Sequence, residues 1–214
     1  MLLDGANALI YGGGGVVGSR LAVALARDGA RVHLAGRSRT KMQHVVDIIR
    51  ADGGHAEAAV IDVLDEVDVD EYVDVVAACS GSIDVSIDVI IPGRASRSTH
   101  SEASARRLDR TEVADLERPV LDALRAHFIT ARAAARHMVC QHSGLILVPR
   151  CLPTAGDAGL DASSLASVVI DRLAAQLAGD LVGTGVRVTA VDTDPTSADE
   201  TARRLVAAAS DGDT

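Results

Sequence analysis

The 214-residue chain carries 21 basic and 30 acidic residues, a formal net charge of -9, and is 48% hydrophobic. This is a globular composition with enough chain to bury one full core, and its acidity argues against a binder of phosphate backbones, whose surface is basic. No apolar run approaches the roughly 18 residues of a membrane span, the N-terminus lacks the length and basic flank of a signal peptide, and three unpatterned cysteines fit a reduced, cytoplasmic setting.

Taken in order, Ala8–Tyr11 reads as a short buried strand. Ser19 to Arg27 follows with helical spacing, Leu21 and Leu25 on one face and Gly29 closing the last turn. Arg31–Ala35 is a second strand, Thr40–Ala51 an amphipathic helix, Ala58–Ile61 a third strand and Asp65–Cys79 an acidic helix. A fourth strand lies within Ile83–Ile91. The connection 92–118 interrupts the pattern before an alanine-rich helix, Pro119–Gln141. Leu145–Val148, Ser163–Leu181, Val186–Val191 and Ser197–Ser210 continue it as strand, helix, strand and helix, ending in a short polar tail. Regular strand–helix alternation predicts one α/β domain spanning 1–214, a parallel sheet covered on both faces.

The first strand runs into four glycines, Gly12-Gly13-Gly14-Gly15, and then Val16-Val17-Gly18. Gly13, Gly15 and Gly18 match G-x-G-x-x-G between a strand and a helix, where that motif cradles a dinucleotide pyrophosphate on backbone N–H groups. The alternative is a tight turn that binds nothing. The second strand ends Ala35-Gly36-Arg37-Ser38; an arginine there suits a 2′-phosphate, favouring NADP over NAD, although a solvated loop arginine is an equal reading.

These residues, in this order, resemble the short-chain dehydrogenase/reductase family along nearly the whole chain. Gly12–Gly18 is similar to the family's T-G-x-x-x-G-x-G, with Tyr11 in place of threonine and Val16 in place of the middle glycine. Ile61-Asp62-Val63 resembles the strand end where the family meets the adenine, and Gly81-Ser82-Ile83-Asp84-Val85 the lead into strand four. Gly144–Leu147 and Gly185–Val191 resemble the starts of strands five and six. The resemblance implies a doubly wound Rossmann sheet of order 3-2-1-4-5-6. It also implies NADP(H) held by Gly12, Gly13, Gly15, Val17, Gly18, Arg37, Asp62 and Val63. The helices 119–141 and 163–181 correspond to the family's dimer interface, which implies a homo- or hetero-oligomer; core packing within one chain explains their apolar spacing equally well.

The family's Asn-Ser-Tyr-Lys tetrad has no counterpart. The asparagine falls on Ala123, the serine near Arg150 or Cys151, and Y-x-x-x-K on Ser163 and Ser167 or on Ser164 and Val168. Strand four ends Asp88-Val89-Ile90-Ile91 rather than N-N-A-G, and the P-G after strand six is Thr193-Asp194. The family's seventh strand is also missing, leaving strand six as an expected sheet edge. The tyrosine moves the proton that accompanies hydride transfer and the lysine lowers its pKa; such acid–base help is typically worth about 10²–10⁴-fold. The chain has only Tyr11 and Tyr72, neither near the expected position.

Other candidates are weaker. Cys151 is a possible nucleophile or acid, or a packing cysteine. Asp88, Asp192 and Asp194, with Asp157 and Asp161, lie where an α/β sheet binds ligands, although caps and loops explain them too. His100, His127, His137 and His142 lack metal-ligand spacing. Arg94, Arg97, Arg106, Arg107 and Arg110 suit a solvated lid better than an anion site. Three functions follow as expectations: a catalytically silent, NADP(H)-holding subunit beside an active homologue; the fold reused for cyclisation, dehydration or isomerisation through Cys151 or carboxylates; or a reductase with an unusual proton donor.

Overall fold

The computed structural model describes residues 3–90, 112–150, 162–193 and 197–211, Ser163 for its backbone alone. Six strands alternate with six helices: β1 (Asn7–Tyr11), α1 (Val16–Arg27), β2 (Arg31–Gly36), α2 (Arg39–Ala51), β3 (His55–Val60), α3 (Glu66–Ser80), β4 (Val85–Asp88), α4 (Val113–Gln141), β5 (Gly144–Arg150), α5 (Ala162–Asp180), β6 (Val186–Asp192) and α6 (Ala198–Ser210). All strand pairs are parallel and the order is β3-β2-β1-β4-β5-β6. This is the doubly wound sheet expected from the alternation. The chain first runs outward from β1 to β3, then returns to β4 on the other side of β1, which opens a crevice at the carboxyl ends of β1 and β4.

Side chains alternate across the strands. Leu9, Tyr11, Ile146 and Val148 point to the face covered by α3, α4 and α5. Ile10, Leu34, Ile87 and Leu147 point to the face covered by α1, α2 and α6. Burying one such large side chain contributes about 1.5–3 kcal/mol relative to leaving it in water, so the two apolar faces dominate stability. Ion pairs join the helices outside them. Arg132, Arg136 and His137 of α4 meet Glu66, Asp70 and Asp74 of α3, with Arg132 Nη2 donating to Asp70 Oδ2 at 2.7 Å.

Several boundaries differ from those read in the sequence. β3 starts at His55, not Ala58, because backbone pairing with β2 extends back to Arg31↔His55; polar His55 and Glu57 occupy exposed positions and hide the pattern. α1 starts at Val16, three residues early, because two β-branched residues and Gly18 mask its first turn. α4 starts at Val113, so Pro119 lies inside the helix and the inserted connection is shorter than 92–118. Proline removes one N–H donor, and the first turns of α4 are largely exposed, so the lost backbone bond falls in a solvent-facing part of the helix.

Candidate functional site

The glycine loop closes tightly on the start of α1. Gly12 adopts φ +81°, and a Cβ there would lie 3.0 Å from Ile90 Cγ1; only glycine takes this left-handed corner without strain. A Cβ on Gly18 would run into the Gly12 carbonyl oxygen, so helix and loop touch backbone to backbone. Gly12 and Gly13 donate to the Ala35 carbonyl at 2.8 and 3.3 Å, and Gly15 donates to Gly12 O at 2.9 Å. Gly15 is the N-cap of α1 and supplies no side-chain cap, so first-turn N–H groups remain available to an anion. α2 likewise starts without a side-chain cap at Ser38. By contrast, Asp65 caps α3 by accepting from Val67 N and Asp68 N, and Ser197 caps α6 by accepting from Glu200 N.

Two valines behave differently. Val17 packs against the core, leaving its backbone to face a ligand. Val16 is 68% exposed at the first position of α1. Its branched apolar side chain narrows the approach to the uncapped amides.

Arg37 follows β2 and is exposed. It has two cationic neighbours that the sequence reading missed, Arg39 and Lys41 on the first turn of α2, both exposed. None of the three has an ion-pair partner among the described residues. A Cβ on Gly14 would come within 3.0 Å of Lys41 Cβ, so the start of α2 leans on the glycine loop. The signal was present as Arg37-Ser38-Arg39-Thr40-Lys41. At the end of β3, exposed Asp62 accepts from Leu64 N at 3.1 Å, while Val63 is buried in the core.

The crevice beside β4 is polar but closed. Asp88 and His127 are each 4% exposed, with Oδ2 to Nδ1 at 3.6 Å. Asp88 Oδ1 accepts from Ile90 N at 2.9 Å, and Thr130 Oγ1 donates to Oδ2 at 3.4 Å. Burial pushes the Asp88 carboxyl above its ordinary range, more than His127, the Ile90 amide and Thr130 together pull it back. His127 entered the sequence reading only as a histidine without metal spacing; its place opposite Asp88 depends on α4 crossing β4, which spacing does not encode.

At the carboxyl ends of β5 and β6 stands an ion triad. Arg150 Nε donates to Asp192 Oδ1 at 2.6 Å, and Arg150 Nη1 pairs with Asp171 of α5. Both carboxylates hold the guanidinium firmly charged. Ala123 is fully buried on α4, and Ser167 is buried on α5. Cys151, Asp157, Asp161, Asp194, His100 and the arginines between 94 and 110 lie outside the described residues. Tyr11 is fully buried and Tyr72 partly so, and both hydroxyls are shut off from solvent. Burial first, then nearby negative charge, raises the Tyr11 and Tyr72 pKa values far above those of a free phenol, so neither serves as an acid near neutral pH.

Comparison with known proteins agrees with this architecture. The family profile for short chain dehydrogenases matches residues 6–209. Gluconate 5-dehydrogenase of Gluconobacter oxydans is 32% identical over 148 residues, covering 68% of this chain and 53% of that protein. An uncharacterised oxidoreductase of Staphylococcus aureus is 25% identical over 195 residues, 86% of this chain and 75% of its own length. Among solved structures, a metagenomic short-chain oxidoreductase in complex with NADP superposes with a TM-score of 0.80 at 24% identity, over 98% of this chain and 93% of that one. A gluconate 5-dehydrogenase from Burkholderia cenocepacia, in complex with NADP and tartrate, gives 0.72 at 25% identity, over 89% and 71%. The chain spans about a third to a half of the length of several curated relatives that it matches. No helix among the described residues is long and apolar enough to cross a membrane.

Proposed function

Because the chain belongs to the short-chain dehydrogenase family, we propose that it holds an NADP-type dinucleotide without performing the family's usual hydride transfer, as a catalytically silent or accessory subunit. One contrast across the carboxyl edge carries this reading. On the β1–β2 side, uncapped helix N-termini stand beside Arg37, Arg39 and Lys41, three exposed cations with no described acidic partner. On the β5–β6 side, Arg150, which with Cys151 marks where the family resemblance expects a serine, is bound to Asp171 and Asp192, and both phenol hydroxyls are buried.

A dinucleotide fits the first half. The N–H groups at the start of α1 would take the pyrophosphate, Asp62 and the backbone at Val63 would face the adenine, and Arg37 with Lys41 would take a 2′-phosphate. Bound NADPH supplies a hydride. Among the described residues none offers an accessible proton donor beside it, since Asp88 and His127 are closed off and Arg150 only donates hydrogen bonds. The NADP in two solved relatives supports the choice of cofactor.

Assembly belongs to the same proposal. Leu121 and Phe128 of α4 and Leu165 and Val168 of α5 remain exposed at 46, 44, 38 and 57%. This apolar surface suits a matching helix pair from a second copy or an active homologue. Titration with NADPH, NADP and NADH by calorimetry tests the cofactor reading, and a carbonyl and enone panel followed at the NADPH absorbance tests silence. Micromolar NADPH binding without turnover supports it; unaided turnover by the isolated chain overturns it.

A second reading has one observation in its favour, the Asp88–His127 pair at the ligand-binding crevice. In it the fold performs non-redox proton transfer. An Asp88→Asn variant that keeps full activity in an isomerase, dehydratase or cyclase assay would remove this alternative.

A further inference from the structure

Asp88 is the last residue of β4, and its two carboxyl oxygens face different neighbours. Oδ2 is turned to α4, where Thr130 Oγ1 lies at 3.4 Å and His127 Nδ1 at 3.6 Å. Oδ1 accepts from Ile90 N at 2.9 Å, a bond from a side chain to the backbone two residues on. Val89 N still donates to Tyr11 O of β1 at 3.1 Å, and the next amide is taken by Asp88 instead of by the sheet. Asp88, His127 and Thr130 are all buried, so α4 braces the carboxyl from behind.

Ile90 in turn meets the glycine loop. A Cβ at Gly12 would lie 3.0 Å from Ile90 Cγ1, 3.3 Å from Val89 Cγ2 and 3.5 Å from Ile90 N, so residues 89 and 90 press directly on the left-handed corner. Gly12 O accepts from Gly15 N at 2.9 Å, Gly18 packs on the same carbonyl, and Gly15 is the N-cap of α1. A continuous series of contacts therefore runs from α4 through Asp88, Ile90 and Gly12 to the start of α1. We propose, resting on the dinucleotide reading, that Asp88 is a positioning residue for nucleotide binding: its carboxyl holds Ile90 against Gly12 and so keeps the first-turn amides of α1 where a pyrophosphate meets them. Atoms packed this closely pass small shifts along, and hydrogen bonds weaken steeply as the donor tilts away from its acceptor. Unlike the proton-transfer alternative, this role asks of the carboxyl that it accept one hydrogen bond, and it touches neither substrate nor cofactor.

Asp88→Ala removes the acceptor and is expected to weaken NADPH binding in calorimetry by about 5–10-fold, the equivalent of one lost hydrogen bond. Asp88→Asn keeps an oxygen for Ile90 N and restores the affinity to within about 2-fold of the wild type. In the nucleotide-free proteins, the Gly12 and Gly15 amides exchange hydrogen about 5–10-fold faster in Asp88→Ala, while amides of β3 and β6 keep their wild-type rates. Should Asp88→Ala not fold, Ile90→Ala removes the contact with Gly12, keeps the carboxyl and is expected to give the same loss of affinity. Unchanged affinity with unchanged loop exchange overturns the proposal. So does a loss that asparagine fails to restore, or exchange that rises equally across the whole sheet. Wild-type protein that binds no NADPH refutes the dinucleotide reading instead, and the loop exchange rates then decide by themselves whether Asp88 holds the loop.

Discussion

Replacing Asp88 by asparagine isolates the cost of a buried carboxylate. The substitution keeps the shape and an oxygen that accepts from Ile90 N, and it removes the charge. Burial raises the folded-state pKa of Asp88 above its unfolded value. The folded protein therefore keeps the proton where the unfolded chain has released it, and the stabilisation is fully present only below the unfolded pKa of about 4. It is lost as pH rises through the folded pKa. Once ionised, Asp88 is a carboxylate that is 4% exposed, with one amide donor at 2.9 Å, a long 3.4 Å hydroxyl contact and His127 at 3.6 Å. A buried polar group left short of partners costs about 1–3 kcal/mol, and attraction to His127 offsets part of this when the imidazole is charged. Asp88→Asn is thus expected to be more stable by about 1–2 kcal/mol at pH 8, or roughly 2–8 °C in Tm for a chain of this size. The advantage shrinks toward zero near pH 4. Denaturant unfolding of both proteins from pH 4 to 8 measures it. A difference that does not change with pH, or an asparagine variant less stable at pH 8, refutes the argument from burial.

Three further outcomes are expected. Arg37→Ala combined with Lys41→Ala weakens NADPH binding by about 10-fold or more and leaves NADH binding nearly unchanged in calorimetry, since charge-assisted bonds to the 2′-phosphate are worth about 1.5–3 kcal/mol. Burial lowers the His33 pKa against the pull of Glu57, so the unfolded state binds more protons below about pH 6.5 and stability falls as pH drops through that value, by at most about 1.4 kcal/mol per pH unit; His33→Gln flattens this slope in denaturant melts. Gly18→Ala places a methyl group against the Gly12 carbonyl and is expected to destabilise by about 1–3 kcal/mol, read as a lower urea midpoint.

The fold was legible in the sequence because strand and helix periods alternate cleanly and the glycine run falls between the first strand and first helix. Misread boundaries have local causes. Pro119 resembles a helix start because proline is favoured there, and nothing local reports that the preceding turns are helical. The cofactor half of the site is sequence-near: Gly12 to Gly18 and Arg37 to Lys41 each form one short segment. The other half is assembled from distance. Asp171 and Asp192 stand 21 and 42 positions from Arg150, and Asp88 and Thr130 stand 42 apart; the pairing of β5 with β6 brings Asp192 to Arg150, and the packing of α5 and α4 on the sheet brings in Asp171 and Thr130. Sequence reasoning therefore found Arg150 or Cys151 where the family has serine, and had no means of finding what Arg150 binds.

The same arginine has a consequence for redesign. Replacing Arg150 by serine would leave Asp171 and Asp192 without their shared cation, yet their side chains are 43 and 51% exposed and pairs so open to solvent contribute only about 0–1 kcal/mol. The substitution would turn the carboxyl ends of β5 and β6 from neutralised to acidic at little expense in stability.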